Sequence, residues 1–107
     1  MKILKFGGTS VGSPERIKNV ADLINDGEQK IVVLSAMSGT TNTLVEIADY
    51  LRKRNPESAS AVINHLRTIY FQHIEKLFSN KEMLNATAQI LDDIFMHLHS
   101  FAGATFN

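Results

Sequence analysis

No cysteine occurs among the 107 residues, which excludes a disulfide framework, a zinc-thiolate site and a cysteine nucleophile. Neither charge is in excess: 11 Lys plus Arg balance 11 Asp plus Glu. No long-range field therefore draws nucleic acid or an anionic membrane, and a nucleic-acid role would need a local basic patch. The short basic run Arg52-Lys53-Arg54 lacks interleaved aromatics and falls at a helix end, where cations complement the dipole. Long apolar runs are missing as well. The longest is Ile31-Val32-Val33-Leu34, far short of the roughly 20 residues of a membrane-spanning helix. At the amino end, charge and then Gly7-Gly8 interrupt any signal-peptide stretch. With 44% hydrophobic and 21% charged residues, the chain has the composition of one soluble globular domain. It is expected in the cytoplasm, with no nucleic-acid or membrane partner.

Residues 1–55 alternate short apolar runs with helical patterns, whereas 56–107 are almost wholly of helical period. Lys2–Phe6 is expected to form a strand that Gly7-Gly8 ends. A helix should start at Ser13-Pro14-Glu15, where Ser13 caps the free amides, Pro14 fits the first helical position and Glu15 complements the dipole. Ile17, Val20, Ala21 and Ile24 give it one apolar face until Gly27 stops it. The β-branched run from Lys30 to Ser35 predicts a second strand, buried on both faces as in a helix-covered parallel sheet. Leu44, Ile47, Ala48 and Leu51 predict the next helix, capped by Thr41 or Asn42.

Pro56 separates that helix from a longer one marked by Val62, Leu66, Ile69, Tyr70 or Phe71, Ile74 and Leu77. After a turn at Ser79-Asn80, Met83, Leu84, Ala88, Leu91, Phe95, Leu98 and Phe101 predict a partner helix, the two forming an antiparallel hairpin. The tail from Ser100 to Asn107 carries no stop signal. Two strands and four helices leave open sheet edges and an incomplete core, so the chain reads as part of an α/β domain.

Chemistry concentrates in Lys5-Phe6-Gly7-Gly8-Thr9-Ser10: a cation at a strand end, two glycines in a turn and two hydroxyls before a helix. Free amides and small residues can receive phosphate oxygens while the ammonium neutralises charge. The order is not that of a Walker A loop, whose lysine follows its glycines, and Gly7-Gly8-Thr9-Ser10-Val11-Gly12 does not match G-x-G-x-x-G. The plain alternative is a tight strand exit with a solvated lysine. A second polar cluster, Ser35 to Asn42, follows the second strand, so in a parallel sheet both exits open on one edge, where open α/β folds bind ligands. Its hydroxyls suit an anionic small molecule, or serve only as turns and caps. No metal site is expected. His97 and His99 diverge on one helix, His65 and His73 lack a carboxylate in ligand spacing, and Asp92-Asp93 and Glu75 read as solvated surface.

Three segments in order, Lys5-Phe6-Gly7-Gly8-Thr9-Ser10-Val11, Glu15-Arg16-Ile17, and Val32-Val33-Leu34-Ser35-Ala36 with Gly39, Thr41 and Asn42, resemble the amino end of the aspartokinase family, within the amino-acid kinase superfamily. A lysine with a glycine pair would also suit acetylglutamate or uridylate kinases. The full K-F-G-G-T-S-V with an S-A-x-x-G-x-T-N loop is what points to aspartokinase. The resemblance implies a partial amino-acid kinase fold of α/β class, a βαβ parallel-sheet unit followed by a long helical hairpin. It implies ATP-dependent phosphorylation of L-aspartate to 4-phospho-L-aspartate, on the way to lysine, threonine and methionine, with ATP and Mg2+ as cofactors.

By the same resemblance, Lys5 contacts the transferring phosphoryl group, and Gly7, Gly8, Thr9 and Ser10 line the phosphate loop. Ser35 and Thr41 approach the phosphoryl group or aspartate, and no residue here is a metal ligand. The family's Gly-Glu motif, its residues around ATP and magnesium, and its regulatory ACT domains do not occur before Asn107. Residues 1–107 are therefore expected to be the amino-terminal part of one catalytic domain. Within it, 1–55 carry the phosphate loop and 56–107 a helical insertion; the piece should be inactive alone, and homo-oligomeric. The competing readings are another amino-acid or nucleotide kinase of the superfamily, and a non-enzymatic module whose helices self-associate.

Overall fold

A computed structural model describes residues 1–103. The chain divides into two compact units, one from Met1 to Thr40 and one from Thr41 onward. The first contains β1 (Lys2–Phe6), α1 (Pro14–Ile24) and β2 (Lys30–Leu34). The strands pair in parallel with Ile3 beside Ile31 and Phe6 beside Leu34. Helix α1 starts as its residues dictate: Ser13 is extended at φ −148°, its Oγ accepts from the Arg16 amide at 3.3 Å, and Pro14 fills the first turn. Val11, Pro14 and Val20 are the buried side chains of this unit.

Helix α1 ends at Ile24, before Gly27, whose φ of 76° makes the reversal. Lys30 secures this end. Its side chain is only 7% exposed, and Nζ donates to the Ile24 carbonyl at 2.7 Å, to the Glu28 carbonyl at 3.1 Å and to the Asp26 carboxylate. The ammonium thus satisfies a carbonyl that the helix end leaves open. The Lys30 hydrogen bond, helped by the Glu28 amide, holds the Asp26 carboxyl below its ordinary value of 3.8. A depressed folded-state value means the pair stabilises above that ordinary value and loses its effect as pH falls through the lower one. Lys30→Met should lower the melting temperature at neutral pH and flatten the acid limb of its pH dependence below about pH 4. An unchanged limb in a thermal-melting series would contradict this role.

The second strand is not buried on both faces. Ile31 and Val33 are 47% and 45% exposed, while Val32, pointing the other way, is half-buried. Side chains alternate across a strand, and a unit with one helix covers one side of its sheet, leaving Ile3, Lys5, Ile31 and Val33 on the open side.

The second unit holds α2 (Thr40–Arg52), α3 (Pro56–Leu77) and α4 (Lys81–Ala102), the first starting one residue before the unit boundary. Because α2 starts at Thr40, Thr41 and Asn42 stand in its first turn and do not cap it. At its other end Arg54 is left-handed at φ 58°, and its amide and that of Asn55 donate back to Leu51 and Tyr50 at 3.1 and 2.8 Å. This paired closure of the last carbonyls usually takes glycine, so arginine carries some strain there. Asn55 and Asn80 cap α3 and α4 through their side-chain oxygens.

Ile47, Ala59, Ile63, Leu66, Phe95 and Ala102 form the core, flanked by Tyr50, Val62, Tyr70, Leu91 and Leu98. The hairpin is antiparallel: Arg67 pairs with Asp92, His99 Nε2 meets Asn64 Oδ1 at 2.9 Å, and the Tyr70 and Phe95 rings lie 5.9 Å apart. Two core positions, Ala59 and Ile63, fall outside the apolar stripe expected for α3. On α4 the inner stripe is Leu84, Ala88, Leu91, Phe95, Leu98 and Ala102, alternating steps of four and three. Met83 and Phe101 each precede a member of that stripe by one residue, about 100° around the helix, and are exposed. Gly103 follows the end of α4; the last four residues of the expected tail lie outside the described residues. Among the described residues no helix is long and apolar enough to cross a membrane.

Candidate phosphate-binding loop

The chain leaves β1 through two consecutive turns. The Ser10 amide donates to the Gly7 carbonyl at 3.0 Å, and the Gly12 amide to the Thr9 carbonyl at 3.4 Å. Gly8 and Thr9 occupy the middle of the first turn, and their amides meet no acceptor among the described residues. Both neighbouring carbonyls are held from outside: Ser38 Oγ donates to Gly8 at 3.2 Å and Arg16 Nη1 to Thr9 at 2.7 Å. The two strand exits do come together. The Ser35 amide donates to the Phe6 carbonyl at 3.0 Å, prolonging the ladder, and a Cβ on Gly8 would lie 3.5 Å from the Ala36 carbonyl.

Lys5 is exposed at the end of β1 and makes no hydrogen bond or ion pair among the described residues. Thr9, Ser10 and Ser35 are exposed beside it in sequence or across the ladder. Thr41 stands in the second unit, in the first turn of α2. A groove of about 220 Å³ adjoins the loop, lined by Phe6, Ser10, Arg16, Asn19, Val20 and Leu23. Two unpaired turn amides, exposed hydroxyls and a free cation fit an anion with several oxygens, such as a phosphate chain. No group of three or more His, Asp or Glu side chains converges among the described residues.

Three participants escape a reading of the sequence. Gly12 is one: a Cβ there would stand 2.7 Å from Ser38 Oγ, which would have to swing aside, and 3.1 Å from the Gly8 carbonyl, which would have to give by a few tenths of an ångström. Ser38 is the second, reaching a partner 30 positions away. Arg16 is the third, and it did leave a signal. A cation in the first turn of a helix opposes the dipole, which asks for a reason such as the Thr9 carbonyl.

The amino acid kinase family model matches residues 1–104. An aspartate kinase of Pseudomonas fluorescens (strain SBW25) is 56% identical over 50 residues, 43% of this chain and 12% of that protein. The chloroplastic bifunctional aspartokinase/homoserine dehydrogenase 1 of Arabidopsis thaliana is 36% identical over 92 residues, 84% of this chain and 10% of that protein. The corresponding bifunctional protein of Daucus carota is 45% identical over 62 residues, 56% of this chain and 7% of that protein. The chain thus spans about a tenth of the length of these curated relatives.

Proposed function

The chain belongs to the amino acid kinase family, and from that premise we propose that it is the amino-terminal part of an aspartate kinase catalytic domain, which phosphorylates L-aspartate from ATP. The observation that carries this reading is the free Lys5 at a strand end whose following turn presents the unpaired Gly8 and Thr9 amides. An oxygen of the aspartate side chain attacks the γ-phosphorus while the bond to the ADP oxygen breaks. The carboxylate is already ionised at neutral pH, so no general base is needed. What opposes the reaction is the meeting of two anions, and a preorganised cation with aligned amides answers that.

In this reading Lys5 neutralises the transferring phosphoryl group, and Gly7, Gly8, Thr9 and Ser10 form its cradle. Ser35 and Thr41 orient the phosphoryl group or the aspartate by hydroxyl hydrogen bonds. Magnesium bound to ATP would shield further phosphate charge. Residues 56–107 serve as a helical insertion in the same catalytic domain, and the complete protein works as a cytoplasmic homo-oligomer.

Hydroxylamine-trapped acyl phosphate, formed from ATP, magnesium and L-aspartate, tests the reading on this chain and on the longest product of its reading frame. Product from the longer protein alone is expected. A folded longer protein that phosphorylates a different amino acid or a nucleotide, and not aspartate, overturns it. In the same protein Gly12→Ala should weaken ATP binding by about tenfold, because the Gly8 carbonyl must move and the phosphate amides move with it. Calorimetric titration with ATP checks this, and a wild-type affinity would contradict the packing argument.

A further inference from the structure

The turn after β1 has a weakness that two of its neighbours correct. In a β-turn the central peptide plane can rotate by about 180°, which separates type I from type II and exchanges the positions of its C=O and N–H. Gly8, at the first central position, has no Cβ to restrain the ψ that turns this plane, and a full flip is opposed only by the positive φ it would ask of Thr9. In one orientation the Thr9 N–H faces a ligand; in the other the Gly8 carbonyl does, and a carbonyl repels phosphate. The hydrogen bond from Ser38 Oγ to the Gly8 carbonyl, at 3.2 Å, grips this central plane. Because C=O and N–H of one peptide point in opposite directions, the grip aims the Thr9 N–H away from Ser38.

The next plane is held at both ends. Its carbonyl, that of Thr9, accepts from Arg16 Nη1 at 2.7 Å and from the Gly12 amide, while its N–H, that of Ser10, donates to Gly7 at 3.0 Å. A charged donor makes the stronger kind of hydrogen bond. Both donors come from outside the turn, Ser38 from the loop after β2 and Arg16 from α1, so the turn's backbone alone does not supply the restraint.

We propose that Ser38 and Arg16 are positioning residues that lock the peptide planes of the glycine loop, so that the Thr9 amide, and through the Ser10–Gly7 hydrogen bond the Gly8 amide, is aimed at ATP phosphate before it arrives. The purpose of the lock rests on the kinase reading; its existence does not. Neither residue touches the reacting atoms, and the effect runs through the backbone. Preorganisation of this kind is felt as ATP affinity and as alignment of the phosphoryl group.

The test uses the longest product of the reading frame in wild-type form and as Ser38→Ala, Arg16→Met and Arg16→Lys. Kd for ATP is measured by calorimetry, KM for L-aspartate by acyl-phosphate trapping, and amide exchange of Ser10 and Gly12 in the ATP-free protein. Ser38→Ala and Arg16→Met should each raise Kd for ATP by about tenfold, leave KM for L-aspartate and the melting temperature near wild type, and quicken the exchange. Arg16→Lys, which keeps a cationic donor, should recover most of the affinity. Wild-type Kd in both truncations overturns the lock while leaving the kinase reading intact. So does a parallel rise in both substrate constants with a lowered melting temperature, the signature of a general structural role. A wild-type protein that binds no ATP overturns the kinase reading and the lock's purpose together, and unchanged exchange in the variants then removes the lock as well.

Discussion

Lys5→Ala in the longest product of the reading frame is expected to lower turnover of ATP and aspartate by about a thousandfold, the scale of losing one preorganised charge stabiliser. The fold should not respond. Lys5 is exposed on the uncovered side of the sheet, with no hydrogen bond or ion pair among the described residues, so alanine removes no contact that holds β1. The loss belongs to the transition state, where negative charge from the carboxylate and the phosphoryl group is gathered most closely. Lys5→Arg restores the charge but not its compact shape, and should recover only part of the rate. Steady-state kinetics and melting on the same preparations separate the two effects. Turnover near wild type in Lys5→Ala would remove this residue from the chemistry.

The largest effect on stability is expected in the second unit. Ile63 is 0% exposed in a group with Ile47, Ala59, Leu66, Phe95 and Ala102. Truncation to alanine removes three carbons from a site that three helices surround, at a cost of about 2–5 kcal/mol for lost transfer and residual cavity. A unit of this size has little margin, so that is a large part of its stability. Met96→Ala, on an outer face of α4 and 71% exposed, should change stability by under about 0.5 kcal/mol. Denaturant unfolding of the 107-residue chain measures both. Equal effects at the two positions would contradict the assignment of the core.

What could be read from the residues alone is what depends on near neighbours. Ser13 and Pro14 signal the start of α1 because a cap and its amide lie three positions apart. Asn80 marks the turn of the hairpin for the same reason. Parallel pairing followed from strand, helix and strand, and it brought the Gly7-Gly8 and Ser35–Gly39 exits to one edge as expected. The burial of β2 was misjudged because its apolar run reports the strand's affinity for cover, and α1 covers only one side. Ile63 escaped because α3 presents apolar residues at 62, 63, 66, 69, 70, 71 and 74, too many for periodicity to choose among. Ser38 and Gly12 escaped for a different reason. Their meaning lies in a contact between two loops, and only the folded chain sets a hydroxyl against a glycine 26 positions away.

The central claim, that this loop and its lysine face the terminal phosphates of ATP, is tested most directly by affinity labelling with an ATP acyl phosphate. Such a reagent transfers its acyl group to an amine beside the phosphates it mimics. On the longest product of the reading frame, peptide mass analysis should find Lys5 acylated, protected by ATP, and Lys2, Lys18 and Lys30 unlabelled under the same conditions. ATP-protected label on another lysine, with Lys5 unmodified, would contradict the account.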